Sequence, residues 1–307
     1  MRRSKWFLEK DLSMTESWHE CRFLTCSVLP VRMACNLNCL FCFSKSSIST
    51  LRHDSLNWQK VDIRRYYEFA RERGAERLVI TGGGEPLLRP QEVLYLVRQG
   101  RDYFNEITCF TNGSFLTREL AEALAEAGVS YICYSRHHHD DEACRALMGQ
   151  KVISLDQFFK NTGPLKVRAI CVMCKEYVDN TETVWQYIRT LQAYGVEEFT
   201  FKHTYVTYEK SVFKQSDQNH WAQTHQIEYD PFAGQGEVVD RLPWGPEIRR
   251  IGGLQVCYYH EPTPVWELEN RLCRSSNLLS DGTVYASLEE QRSRLFGVQD
   301  LSWTPFM

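Results

Sequence analysis

Three cysteines fall close together in "CNLNCLFC": Cys35, Cys39 and Cys42, spaced C-x3-C-x2-C. Thiolates are soft ligands that suit zinc or the iron of an iron–sulfur cluster. A loop this short can wrap one compact inorganic object. Three ligands leave one metal position open, and an open position is the arrangement of a catalytic site rather than a structural one. A closed zinc site is the alternative reading, with ligands added from a second C-x2-C pair, Cys171 and Cys174. Those two lie in an apolar strand, where odd spacing points them to opposite faces. A second segment with chemical potential is "TGGGEP". Gly82, Gly83 and Gly84 let the backbone approach a ligand and expose its N–H and C=O groups, and Glu85 adds a carboxylate.

These residues need elements to hold them. From about residue 61 to 204, amphipathic helices that end at glycine alternate with short apolar strands. In "VDIRRYYEFARERG", Ile63, Tyr66, Tyr67 and Ala70 share one helical face, with Asp62 as N-cap and Gly74 at the C-terminal end. "RLVIT" follows. The same reading gives a helix from Pro90 to Gly100 before "EITCFT", one from Thr117 to Gly128 before "SYICYS", one near "SLDQFFK" before "VRAICVMC", and "TETVWQYIRTLQAYG" before "EEFTFKH". With an initial strand, "RFLTCSVLPV", the pattern makes about six βα units and a parallel sheet. Six is too few for an ordinary eight-unit barrel. The expected fold is α/β, a partial (β/α)6 TIM-like barrel with a small C-terminal extension containing a β-hairpin around Asp281-Gly282. The expected organisation is an N-terminal segment (1–20), a barrel core (21–204) and a C-terminal lid or substrate region (205–307). In such sheets ligands bind at the carboxyl ends of strands. The cysteine loop follows the first strand and the glycine run ends the second, so both belong to one rim. "RHHHDD", with His137 and His138, follows the fourth strand. Lys202 and His203 end the sixth. These four are candidate substrate contacts at the same mouth.

The motifs "CNLNCLFC" and "TGGGEP", in this order and on these elements, resemble the radical S-adenosylmethionine (SAM) superfamily. "TNGSFL", Ser135 and "VRAICVMCKEYVDN" support the resemblance, which covers roughly residues 24–204. The spacing is most similar to enzymes related to the molybdenum-cofactor cyclase. It is loosely similar to nucleoside-antibiotic enzymes such as cytosylglucuronate decarboxylase. The resemblance implies that Cys35, Cys39 and Cys42 hold a [4Fe–4S] cluster whose fourth iron binds SAM. It implies reductive cleavage of SAM to a 5′-deoxyadenosyl radical that abstracts hydrogen from substrate, with an electron donor such as flavodoxin or ferredoxin. It further implies that the Gly82–Glu85 segment binds the methionine amino group and that Phe41 lies near the adenine. Thr111, Asn112, Ser135 and Arg168 are then candidates for the ribose or carboxylate. Related enzymes often carry a second cluster in a C-terminal extension. Here Cys257 and Cys273 are candidate ligands, with another cysteine or His260 to complete the set, but Ser287 stands where a later cysteine is expected.

Composition narrows the substrate. The chain has 307 residues and a formal net charge of −3, without the basic stripe of a nucleic-acid binder. No apolar run is long enough to span a bilayer, and "MRRSKWFLEKDLSMTES" lacks the apolar region of a secretory signal, so a cytoplasmic enzyme is expected. Twelve cysteines in a reducing compartment point to metal or redox chemistry. The aromatic and polar segment after residue 205 suits a nucleoside or sugar-like metabolite. A ribosomal peptide substrate and a non-catalytic zinc-stabilised protein are the rival readings.

Overall fold

The computed structural model describes residues 18–51, 55–208 and 211–299, so most of the expected N-terminal segment lies outside the described residues. Six strands stand side by side in chain order and run parallel: β1 (Arg22–Val28), β2 (Arg77–Ile80), β3 (Glu106–Thr111), β4 (Tyr131–Ser135), β5 (Lys166–Met173) and β6 (Glu198–His203). Between them run α1 (Arg64–Glu72), α2 (Pro90–Gly100), α3 (Arg118–Ala127), α4 (Asp141–Met148), α5 (Leu155–Asn161) and α6 (Thr181–Gln192). The Thr117 hydroxyl caps α3 by accepting from the Leu120 N–H, and Gly128, at φ 117°, closes it. Asn180 and Thr183 form a reciprocal capping box on α6. The apolar faces read from the sequence are the buried ones. Tyr66, Tyr67, Val93, Leu96, Leu124, Val184, Ile188 and Leu191 pack with Leu78, Ile80, Ile107, Ile132, Ala169 and Phe201 of the strands.

The chain beyond residue 204 adds to the same sheet on both flanks. After α7 (Asp217–His225) come β7 (Glu237–Arg241), β8 (Glu247–Ile251) and β9 (Leu254–Tyr259), then α8 (Pro264–Asn270), β10 (Leu272–Leu278), β11 (Thr283–Tyr285) and β12 (Arg294–Gly297). Strand β9 pairs parallel to β6, and β10 pairs parallel to β1. The parallel run is therefore β10-β1-β2-β3-β4-β5-β6-β9, flanked by the antiparallel pairs β8–β7 and β11–β12. The sheet is a partial barrel and is not closed: among the described residues β9 and β10 do not pair. Side chains span this seam instead. Glu261, just past β9, takes Lys202 on one oxygen (3.0 Å) and Arg274 of β10 on the other.

The sequence reading passed over α4, and two further details differ from it. The β10–β11 connection is a three-residue loop, Ser280–Gly282, between Leu279 and Thr283, not a two-residue turn. The Leu279 N–H donates to Thr283 O, and Gly282 sits at φ 85°. The N-cap of α1 is Ile63, while Asp62 accepts from the Arg64 N–H one step earlier.

Tyr66 fastens α1 to the flank where the C-terminal strand joins. Its buried hydroxyl lies 2.8 Å from the Ser27 carbonyl and 3.0 Å from both the carbonyl and the hydroxyl of Ser276. Tyr66→Phe strips these buried acceptors of their donor and is expected to cost about 1–3 kcal/mol. A urea midpoint unchanged from wild type would refute this role.

Candidate functional site

The three cysteines of the rim loop differ from the other nine in exposure. Cys35 is exposed and Cys39 and Cys42 are half-buried, while every other cysteine is buried. The loop is seated on the end of α4. The Asn38 and Leu40 N–H groups donate to Met148 O (2.8 Å) and Leu147 O (3.1 Å), and Leu37 packs on Leu147 and Met148. Cys35 Sγ accepts from the Leu37 N–H (3.4 Å) and the Asn112 side-chain amide (3.7 Å). Donors of this kind stabilise a thiolate and tune any centre it ligates. Burial, then the Cys42 and Cys35 charges, push the Cys39 thiol well up. A set of mutually repelling thiolates is relieved by a cationic centre.

The glycine turn is pressed directly on this loop. The Gly83 N–H donates to Val31 O (3.2 Å) and the Glu85 N–H to Ala34 O (2.8 Å). A Cβ on Gly84 would stand 1.9 Å from Ala34 O, and one on Gly82 would stand 1.6 Å from Gly84 O. The Gly82 carbonyl accepts from Ser44 Oγ (3.3 Å). Only a chain without side chains lets the two segments approach this closely.

Glu85 turns inward and is used up there. One oxygen accepts from Thr111 Oγ1 (2.7 Å) and the Leu87 N–H (3.0 Å), and the other from the Asn112 N–H (2.8 Å). Burial raises this carboxyl against those three donors. Glu85 and Thr111 thus join strand ends to each other, and the carboxylate is not presented to the mouth. Asn112 extends the link, donating to Asn36 Oδ1 (2.9 Å) as well as reaching Cys35.

Other expected residues separate into those facing the site and those that do not. His137 is buried edge-on against Phe41, with ring centroids 4.7 Å apart. Its Nδ1 accepts from the Val172 N–H (2.9 Å), so the neutral ring carries its proton on Nε2. Burial, with Lys202 and Arg136 nearby, drives it down to about 3. Phe41 also meets Trp221 of α7 (6.2 Å). His138 is turned elsewhere, stacked on His139 and accepting from the Asp140 N–H (3.0 Å). Lys202 faces the concave side, lies over the Tyr259 ring and is pushed by burial and Arg274 down to about 7, against the hold of Glu261. Its neighbour His203 lies on the opposite face of β6, between the Tyr258 hydroxyl (3.1 Å) and Gln226 (2.7 Å). The expected Lys202–His203 pair is therefore split. Ser135 ends β4, level with Ile170 of β5. Arg168 is two positions lower, level with Cys133. It is committed to Glu198 (2.5 Å) and the Tyr131 hydroxyl (2.8 Å), away from the rim.

Cys257 and Cys273 do not come together. Cys257 faces Asp230, Arg168 and Lys202, while Cys273 faces Cys21 and Glu267. Ser287 bonds the Glu267 carboxylate, which also accepts from the Arg274 N–H (2.9 Å). Cys171 and Cys174 are likewise buried, directed at His137 O and Thr204.

Residues 30–209, more than half of the chain, match the family model described as "Radical SAM superfamily". The chain belongs to the Radical SAM superfamily. Members of this family use a [4Fe–4S] cluster and SAM. Over 147 residues the chain is 31% identical to GTP 3′,8-cyclase of Thermodesulfovibrio yellowstonii, a match that covers 44% of each chain. The match thus spans less than half of that cyclase's length. Among solved structures it resembles Streptococcus suis SuiB bound to S-adenosylmethionine, with TM-score 0.59, 16% identity, and coverage of 95% of this chain and 68% of that one. It also resembles anSMEcpe with bound AdoMet and Cp18Cys peptide, with TM-score 0.55, 17% identity, and coverage of 90% and 78%. These likenesses agree with the open parallel sheet described above. Among the described residues no helix is long and apolar enough to cross a membrane.

The sequence reading missed Asn36, Trp221, Glu261 and Arg274. Asn36, inside the cysteine motif, had a signal in its position. Glu261 and Arg274 had none, because their partners lie far away in the chain.

Two outcomes are expected. Gly84→Ala forces a Cβ into the Ala34 carbonyl, so the protein should lose most of its iron on anaerobic reconstitution although all three cysteines remain; iron content checks this. Burial raises Glu267 to about 8 from an ordinary 4.5. A carboxyl raised in the folded state contributes stability that is complete below 4.5 and lost as pH rises to about 8. Glu267→Gln should flatten that part of the melting-temperature profile, and a profile parallel to wild type would contradict the assignment.

Proposed function

We propose that this chain is a radical SAM enzyme acting on a small polar metabolite that carries a ring, a nucleoside or sugar-like compound. The observation that carries the reading is the close backbone contact of the three-cysteine loop with the glycine turn at one strand-end rim. Cys35, Cys39 and Cys42 would hold the cluster, and the donors around Cys35 fit an anionic thiolate ligand. When bound, the cluster and SAM supply a 5′-deoxyadenosyl radical on arrival of one electron. The half-buried Gly82–Gly84 turn would hold the methionine end, with Glu85 and Thr111 fixing the turn and Asn112 fixing the loop. Phe41 and the Nε2–H of His137 would flank the adenine. Lys202, on the concave face, would meet the substrate. Trp221 and the rest of α7 cover the loop and limit water. An external donor of the flavodoxin or ferredoxin kind is the partner this reading requires.

Similarity to GTP 3′,8-cyclase supports a nucleotide-like substrate over the aligned part of the chain. A peptide substrate is the second reading. Strand β7, exposed along its whole length at the edge of the sheet, offers a place for an extended peptide to pair.

Cys39→Ala should abolish both the iron–sulfur absorbance and the release of 5′-deoxyadenosine from SAM under strong reductant. Retained cleavage would end the ligand assignment.

A further inference from the structure

Lys202 and Arg274 come from strands far apart in the chain, β6 and β10, and meet at the open seam on one carboxylate. Glu261 Oε1 takes the Lys202 ammonium (3.0 Å), and Oε2 takes the Arg274 guanidinium and the Tyr259 hydroxyl (2.7 Å). Both carboxylate oxygens are thereby used, while the cations keep donors to spare. An ammonium has three donors, and Lys202 spends one on Glu261. Arg274 spends Nη1, and its Nε and Nη2 have no acceptor among the described residues. The two side chains stay partly open, at 27% and 28% exposure. The gap beyond Arg274, toward Glu267 and Ser287, has room for about one water, so a ligand reaches this pair from the barrel interior.

Within this group two cations face one anion. Other acids in the region have their own partners. Glu198 is matched by Arg168 (2.5 Å), and Asp230 acts on Cys257 and Tyr258 and accepts from the Phe232 N–H (2.8 Å). Burial raises Glu267 to about 8, which leaves it mostly neutral at pH 7. Like charges held together away from water disfavour one another's ionised state. After burial itself, Arg274 is the cause that lowers Lys202. A second anion between the two cations relieves that repulsion and fills the spare donors. Lys202 also acts on the His137 ring, so its charge is felt on the side of the mouth assigned to the adenine.

We propose that Lys202 and Arg274 form a subsite for an oxyanion, a carboxylate or a phosphate, carried by the ring-bearing substrate. Arg274 offers a planar fork of donors that suits either group, and Lys202 adds a point charge. The inference rests on the substrate of the preceding reading and narrows it to acidic compounds. Arg274 is then a residue that sets specificity.

The test is calorimetric binding to anaerobically reconstituted holoenzyme with SAM present. The probes are uridine and guanosine against their 5′-monophosphates, and glucose against glucuronate and glucose 6-phosphate. The glucuronate arm and the phosphate arms separate the two kinds of oxyanion. In at least one series an acidic member should bind at least ~10-fold more tightly than its neutral parent, the ratio expected of one hydrogen-bonded charge pair. Added salt should shrink that ratio in the wild type. In Arg274→Gln the preference should fall to near unity, and Arg274→Lys should keep part of it. Equal binding of acidic and neutral members in every series, preference for the neutral members, or no binding of any acidic member overturns the proposal. So does a preference that survives intact in Arg274→Gln. Should that variant not fold, the wild-type ratios and their salt dependence decide alone. The broader reading fails separately: wild type that binds no SAM and releases no 5′-deoxyadenosine refutes it, whereas cleavage without a preference for acidic ligands refutes only the oxyanion inference.

Discussion

The site hangs on one buried carboxylate. Glu85 sits beneath the rim with both oxygens filled, and its own N–H is tied to the cysteine loop at Ala34. A buried carboxylate is tolerable only when donors surround it, and the donors here come from the ends of two strands. That requirement fixes the distance between the second and third strand ends. Asn112, held by the same carboxylate through its N–H, then reaches across to Cys35 and Asn36. The acid of the glycine motif therefore positions the cysteine loop through a chain of contacts, and the glycines make the remaining approach sterically possible.

The rim would be loose without support from below. Helix α4 gives the cysteine loop two backbone acceptors and an apolar seat. The buried Arg136 guanidinium pairs with Asp141 at the start of that helix (2.5 Å) and donates to the carbonyls of His138 and Ile153. The histidine run is thus mostly the scaffold of a turn, with one member, His137, delivered to the mouth. A helix and a buried ion pair thus stand behind the cysteine loop, which suits a site whose chemistry requires fixed geometry.

The concave face has a different character. The outward faces of the strands are apolar and packed on helices, while the inward rows carry Arg168, Glu198, Lys202 and Tyr259. An open barrel can hold such groups because its interior receives ligand and water rather than helices. The seam between β9 and β10 is bridged by charges in place of a ladder of backbone bonds, which leaves the interior reachable from the side. The polar network around Glu267 and Ser287 occupies the region where a further cysteine was expected.

Apart from α4, which the sequence reading passed over, helix and strand identities from residue 61 to 204 followed from the sequence because period and caps are local properties, as Thr117, Gly128 and Asn180 illustrate. The cysteine spacing and the glycine run were legible for the same reason: a short loop carries its own chemistry. Strands β9 and β10 were not legible as parallel barrel strands. Polar residues on their inward faces, Gln255 in β9 and Arg274 and Asn277 in β10, interrupt the apolar pattern, and only pairing with β6 and β1 gives them a place. The division between Lys202 and His203, the commitment of Arg168 to Glu198 and the bridging of the β9–β10 seam by Glu261 were decided by tertiary structure alone. Each depends on which face of a strand meets which distant partner, and no local pattern encodes that.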